Sequence, residues 1–95
     1  MGSRGPKGVI SVTIQPKNAD LAVGGNLSLT VAATSSNGKP VKYQWQKNGT
    51  NISGATAATY TKNSVVAADA GTYRVVLSAE RADTLNSAAA TVTVK

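Results

Sequence analysis

The sequence predicts an all-β fold in which two antiparallel sheets pack face to face. Three observations support this prediction. From Val9 onward, apolar and polar residues alternate with a period of two, the spacing of side chains on one face of a strand. Turn sequences rich in glycine and asparagine separate the alternating runs, and no segment has the longer period of an amphipathic helix. About seven short strands with turns at this spacing are typical of a β-sandwich.

Each alternating run predicts one strand with a buried face and a solvated face. Serine, threonine, lysine, glutamine and arginine occupy most of the intervening positions, as in antiparallel sheets that face water on one side. The apolar positions in chain order are Ile10, Val12 and Ile14; Leu27, Leu29 and Val31; Val41, Tyr43 and Trp45; Tyr73, Val75 and Leu77; and Val92 and Val94.

Short turn sequences mark the ends of these strands. Gly24-Gly25 precedes the second run, Asn37-Gly38 precedes the third, and Asn48-Gly49 follows it. Asparagine and glycine both tolerate a positive φ, which tight turns between antiparallel strands require. The Asn48-Gly49 pair therefore predicts a hairpin turn.

Length and charge restrict the possible classes of protein. The chain has 95 residues, enough for one domain, and a net charge of +6 from ten basic and four acidic side chains. The basic residues are scattered along the chain, which favours a solvated surface over specific nucleic-acid binding. No apolar run approaches the roughly 20 residues that span a bilayer, so no membrane insertion is expected.

The residue types leave little scope for catalysis. The chain has no histidine and no cysteine, which removes the common nucleophile–base pairs, thiolate metal sites and disulfides. Glu80 and Asp83 are two of its four carboxylates, and with Arg81 between them they are expected to belong to a solvated loop. We therefore expect a protein that is not an enzyme and that holds no cofactor and no metal.

The first eight residues, MGSRGPKG, show no hydrophobic periodicity. This composition is typical of a flexible linker or tail, so the predicted domain occupies residues 9–95. The tail suggests that the domain is tethered to something larger.

Four segments resemble strands of an immunoglobulin-like domain of the I-set-like kind. GGNLSLTVAA (24–33) resembles strand B, and VKYQWQKNG (41–49) resembles strand C with its buried tryptophan. Residues 58–79, which contain the pattern Asp-x-Gly-x-Tyr, resemble strands E and F, and AATVTVK (89–95) resembles strand G. The strand-C tryptophan together with Asp-x-Gly-x-Tyr is specific, and the segments follow one another in the right order.

The resemblance assigns structural roles to the central core residues. Trp45 is expected to form the centre of the core. Val31 and Val75 stand where such domains usually carry the two cysteines of their disulfide. We expect these valines to face each other beside Trp45, so that apolar packing replaces the covalent bridge.

The resemblance also implies a tyrosine corner. The hydroxyl of Tyr73 is expected to bond to backbone near residues 65–68. Asp69 is expected to cap local N–H groups, and Gly71 to permit a close or positive-φ backbone. Lys62 departs from the pattern at a place expected to be apolar. Either its amino group reaches solvent from the strand end, or the register slips by one residue.

Disulfide-free domains of this kind resemble those of tailed-phage virion proteins and bacterial surface proteins. The resemblance implies a display module on the outside of a virion, such as the solvent-exposed domain of a capsid decoration protein. It further implies assembly in the host cytoplasm, attachment to the capsid through a separate anchoring domain, and weak adhesion to host or environmental surfaces. We expect the isolated domain to be a monomer.

The alternative is a carbohydrate-binding or spacer module of a bacterial cell-surface protein or secreted enzyme. Strong sugar binding usually needs exposed aromatic side chains, and the tyrosines and tryptophan are expected to point inward. The remaining candidates for weak contacts, including contacts with host cell-surface polysaccharide, are polar side chains of the outer face of strands C and F. These candidates are Lys42, Gln44, Gln46 and Arg74.

Overall fold

The computed structural model describes residues 8–95, which form ten strands and one short 3₁₀ turn (Ala67–Asp69). The strands are β1 (Ile10–Ile14), β2 (Ala19–Leu21), β3 (Leu27–Thr30), β4 (Ala32–Ser35), β5 (Lys42–Lys47), β6 (Thr50–Asn51), β7 (Thr59–Lys62), β8 (Gly71–Ser78), β9 (Leu85–Asn86) and β10 (Ala90–Val94). The all-β prediction is confirmed. The count exceeds seven because several strands are interrupted or very short.

One layer of the sandwich is a six-stranded sheet with the order β2-β10-β8-β5-β6, in which β9 also pairs with β8. Strands β5 and β8 form its centre, and their antiparallel register runs from Lys42 opposite Ser78 to Lys47 opposite Tyr73. The edge strand β2 runs parallel to β10. This parallel pair is the exception in a sheet that is otherwise antiparallel.

The other layer is formed by β1, β4, β3 and β7. Strand β1 pairs with β4, and β3 pairs with β7. The sequence predicts one strand through residues 27–31, and in the structure that strand changes partner at Val31. The N–H of Val31 donates to the carbonyl of Ala58, at 2.9 Å, and so extends the β3–β7 ladder to this point.

The core lies between the two layers and contains most of the predicted apolar positions. Ile14 is an exception, since its side chain is 51% exposed. The register between β1 and β4 shifts between Val12 and Ile14, and an extra residue in a strand reverses the face of the side chains beyond it. The buried apolar residues are Ile10, Leu27, Leu29, Val31, Trp45, Ala55, Val65, Tyr73, Val75, Leu77, Ala90 and Val92.

A second bulge lies in the segment that follows the loop after β8. Val76 pairs with Asn86 and Tyr73 pairs with Ala90, so this segment contains one residue more than the stretch of β8 that it faces. The hydroxyl of buried Ser87 accepts a bond from the N–H of Val75, at 2.9 Å, and fixes this register. Sequence patterns did not place this hairpin, because polar residues and alanines interrupt its alternation.

Candidate functional site

The four predicted contact residues lie together on the outer face of the six-stranded sheet. Lys42, Gln44 and Gln46 alternate along β5, and Gln46 is directly opposite Arg74 of β8. Residues paired across an antiparallel ladder point to the same side, so the register places all four on one surface. We refer to Lys42, Gln44, Gln46 and Arg74 as the contact face.

Hydrogen bonds hold part of the contact face in a fixed arrangement. The Nε–H of Arg74 donates to Oε1 of Gln46, at 2.8 Å. The side-chain amide of Gln46 in turn donates to Oδ1 of Asn51, also at 2.8 Å. Arg74 therefore presents its guanidinium from a position set by two neighbouring strands.

Gln44 has a structural role that the sequence did not indicate. Its side-chain amide donates to the carbonyl of Ile52, at 2.8 Å, and to that of Trp45, at 3.0 Å. These bonds hold the segment after β6 against β5. The donors of Gln44 are thus used within the domain, and Lys42 and Arg74 supply the positive charge of the contact face.

The contact face presents charged and amide side chains and no open aromatic ring. Tyr43 and Tyr60 are half-buried and pack against the core, so neither offers an open ring to a sugar. Within residues 8–95 there is no cluster of three metal-binding side chains. The same part of the chain has no helix long and apolar enough to cross a bilayer.

The tyrosine corner lies at one end of the sandwich. Tyr73 is 1% exposed, and its hydroxyl donates to the carbonyl of Asp69, at 2.7 Å. The acceptor is one residue beyond the predicted range, because the intervening segment forms a 3₁₀ turn through Asp69. Burial, with smaller contributions from Tyr60 and Asp69, raises the pKa of Tyr73 to about 12. Its neutral, donating form is therefore the stable one.

Asp69 organises the turn that precedes the corner. Its Oδ2 accepts a bond from the N–H of Val66, at 2.8 Å, and its Oδ1 lies 3.1 Å from Nζ of Lys62. The register keeps Lys62 opposite Leu27, and the lysine amino group reaches Asp69 from the end of β7. The strand therefore does not slip, and the lysine amino group forms an ion pair with Asp69 at the end of the strand.

Asn48 joins the turn after β5 to the start of β8. Asn48 and Gly49 have φ values of 51° and 84°, as a hairpin turn at this pair requires. Oδ1 of Asn48 accepts a bond from the N–H of Thr72, at 2.9 Å. A Cβ at Gly71 would lie only 2.9 Å from that same oxygen. The glycine of Asp-x-Gly-x-Tyr is therefore explained by the close approach of Asn48.

Trp45, Val31 and Val75 occupy the middle of the core. Val31 is 1% exposed, and Trp45 and Val75 are 0% exposed. Trp45 is directly opposite Val75 in the β5–β8 ladder. The indole Nε1–H donates to the carbonyl of Ala57, at 2.7 Å, so the polar atom of the tryptophan is paired despite its burial.

Acidification is expected to destabilise the domain through Asp69. Hydrogen bonding from Val66 is the main cause that holds the pKa of Asp69 below its ordinary value, and Lys62 contributes as well. A carboxyl whose pKa is lower in the folded state stabilises the fold above its unfolded-state pKa of about 4. This stabilisation is lost as the pH falls through the lower, folded-state value.

Urea unfolding between pH 7 and pH 2 measures this loss. Asp69→Asn is expected to be less stable than the wild type at pH 7 and to show a smaller loss of stability below pH 4. Asp20→Asn serves as the control, because Asp20 lies on the exposed face of β2. Equal acid sensitivity of the wild type and Asp69→Asn would contradict this role of Asp69.

Comparison with known proteins supports the same fold. The family model of the immunoglobulin domain matches residues 10–78. The decoration protein of Escherichia phage T5 is 41% identical over 71 residues, which make up 75% of this chain and 43% of that protein. The chain thus spans less than half the length of this relative.

Solved structures of low sequence identity have a similar fold. The N-terminal two-domain Ig module of the Drosophila receptor protein tyrosine phosphatase DLAR superposes with a TM-score of 0.77 at 22% identity, covering 99% of this chain and 50% of that one. The titin domain M4 gives a TM-score of 0.75 at 20% identity, covering 97% of this chain and all of that one. With a family match over most of its length and these folds, the chain belongs to the immunoglobulin domain family.

Proposed function

We propose that this domain is a non-enzymatic structural module of a phage virion, displayed on the outer surface of the capsid as part of a decoration protein. The observation that carries the proposal is the 41% identity over 71 residues to the decoration protein of phage T5. Since the chain spans 43% of that relative, attachment to the capsid is assigned to a separate anchoring part of the parent protein. The proposed location is therefore the virion surface.

The chemistry of the domain is consistent with display. The chain has no cysteine, so its folding needs no oxidising compartment. This property suits a virion component, because such a component assembles in the cytoplasm of its host. A core of 12 buried apolar residues, with Trp45 among them, supplies stability in place of a disulfide. The domain therefore meets the requirement of folding before particle assembly.

A domain exchange tests the proposal directly. The segment of the T5 decoration protein that this chain matches is replaced by residues 8–95, and the chimera is added to T5 capsids that lack the protein. We expect the chimera to bind the capsids and an antibody against this domain to label the particle exterior in electron micrographs. A folded chimera that binds capsids but stays inaccessible to the antibody would contradict display.

We further propose that the contact face makes weak, polar contacts with anionic polysaccharide of the host surface. Lys42 and Arg74 carry the positive charge, and Gln46 fixes Arg74 by a bond of 2.8 Å. Single contacts of this kind are weak, and display of many copies on one particle would add their effects by avidity.

The adhesion prediction is tested with the domain coupled to beads and incubated with whole host cells. The variant Lys42→Ala with Arg74→Ala is expected to lower the retained fraction about tenfold, and added salt is expected to lower it for the wild type. The control is Thr30→Ala with Thr61→Ala, on the outer face of β3 and β7. No retention of the wild type would favour a pure spacer, and tight binding to one sugar would favour the carbohydrate-binding alternative.

A further inference from the structure

The chain enters the sandwich through a narrow site between two loops. The first, the B–C loop, comprises residues 36–41, and the second, the F–G loop, comprises residues 79–84. The N–H of Gly8 donates to the carbonyl of Arg81 in the F–G loop, at 2.8 Å. The N–H of Val9 donates to Oγ of Ser36 in the B–C loop, at 2.8 Å. The entering chain is therefore bonded to both loops within two residues.

Asn37 joins the two loops beside the entering chain. Its Nδ2 donates to the carbonyl of Glu80, at 3.0 Å, and its Oδ1 accepts a bond from Oγ of Ser35, at 2.6 Å. Lys39 and Glu80 add an ion pair between the same loops, at 3.6 Å. The loops thus form one connected unit, and Gly8 lies against its centre.

A side chain at this position would require Asn37 and Ser35 to move. Gly8 is buried, and a Cβ added there would lie 2.6 Å from Cγ and Nδ2 of Asn37 and 2.9 Å from Oγ of Ser35. Real Cβ atoms do not approach other heavy atoms so closely, since the repulsion is steep at these distances. Gly8 was expected to belong to the tail, but in the structure it is packed against the domain.

The F–G loop contains a residue with a less favoured backbone conformation, within a turn closed by a bond from the N–H of Ala82 to the carbonyl of Ala79, at 3.2 Å. Arg81 has a φ of +59°, a left-handed backbone that non-glycine residues seldom adopt and that requires compensating contacts. The carbonyl of Arg81 accepts the bond from Gly8, and the amide of Asn37 lies 3.5 Å from the same oxygen. The carbonyl of Arg81 is thus paired with groups outside the loop, next to the turn that contains the positive φ.

We propose that Ser36, Asn37 and Arg81 form an entry clamp, a site that binds Gly8 and Val9 of the same chain and sets the conformation of the F–G loop. The clamp fixes the backbone of Gly8 and Val9 against the two loops. Displacement of Gly8 and Val9 from the clamp would release the F–G loop. This inference does not depend on the proposed virion role.

Nuclear magnetic resonance of the whole chain tests the entry clamp. In the wild type we expect the Gly8 amide to be as rigid on the nanosecond timescale as the core amides, and to exchange its hydrogen at least about tenfold more slowly than an unprotected amide. In Gly8→Val we expect this protection to be lost and the resonances of residues 80–82 to shift. The amide resonances of Trp45 and Val75 should keep their wild-type chemical shifts, which would show that the variant remains folded.

Three further variants separate the clamp from a general packing defect. Asn37→Ala keeps Gly8 but removes the side chain that joins the loops, and it should produce the same shifts at residues 80–82. Asn51→Ala is the matched control, since Asn51 bonds to Gln46 on the contact face. Val9→Ala is the control for the entering segment, since Val9 is 63% exposed. An unprotected Gly8 amide in the wild type, or unshifted F–G resonances in Gly8→Val, would overturn the proposal.

Discussion

Replacement of Trp45 by alanine is expected to lower the free energy of unfolding by about 3–5 kcal/mol, the range for removal of a large buried aromatic side chain. The side chain is 0% exposed and lies 6.2 Å from the ring of Tyr60, between centroids. The substitution also leaves the carbonyl of Ala57 without its indole donor. Domains of this size have a total stability of about 5–15 kcal/mol, so the expected loss is a large fraction of the total.

Urea unfolding followed by far-ultraviolet circular dichroism measures this effect. Circular dichroism is required because Trp45 is the one tryptophan of the chain and its fluorescence is lost in the variant. Trp45→Phe keeps most of the apolar volume and should cost less than the alanine variant. Val66→Ala is the surface control, because Val66 is 51% exposed. A loss below about 1 kcal/mol in Trp45→Ala would show that the core does not depend on this residue.

A disulfide introduced by Val31→Cys with Val75→Cys is expected to raise the stability of the oxidised form above that of the reduced form by about 2–4 kcal/mol. Closing a loop of this length reduces the entropy of the unfolded chain, which is the main source of the gain. In a domain of this size the corresponding increase in Tm is about 10–20 °C. The two positions are suitable because Val31 and Val75 belong to opposite layers and share one buried core.

Thermal unfolding of the double variant with and without reductant measures the increase. Each single cysteine variant is a control, and both should unfold at the same temperature under the two conditions. If the double variant fails to form the bridge under oxidising conditions, the two positions do not face each other. An oxidised form that is less stable than the reduced form would show that the bridge distorts the core.

The core could be predicted from the sequence because it follows from local patterns. The alternation around Trp45 and Tyr73 indicates which side chains point inward, and the turn at Asn48-Gly49 fixes where β5 must reverse. Ile14 was predicted wrongly, since a bulge cannot be recognised from alternation alone. Side-chain direction is therefore well predicted only in strands with an uninterrupted register.

The candidate site was only partly predictable, because its bonds join residues far apart in sequence. The register of β5 and β8 could be inferred, and with it the common face of Lys42, Gln46 and Arg74. The pairing of Lys62 with Asp69 depends on the path of the chain between β7 and the 3₁₀ turn, and the bond from Gly8 to Arg81 joins residues far apart in sequence. Hydrophobic periodicity encodes neither of them. Strand β2 was missed for a related reason: three residues carry no measurable alternation.

The edge strands of the two layers affect whether many copies of the domain aggregate at high concentration. An edge strand with unpaired backbone groups can add a strand from another molecule and begin aggregation. Among residues 8–95, the outermost strands β2 and β6 have three and two residues, β1 is interrupted by a bulge, and β7 ends at Lys62. Each edge strand is therefore short, bent or charged, and is poorly suited to pair with a strand of a neighbouring molecule. Copies of the domain should accordingly remain separate without a dedicated repulsive surface.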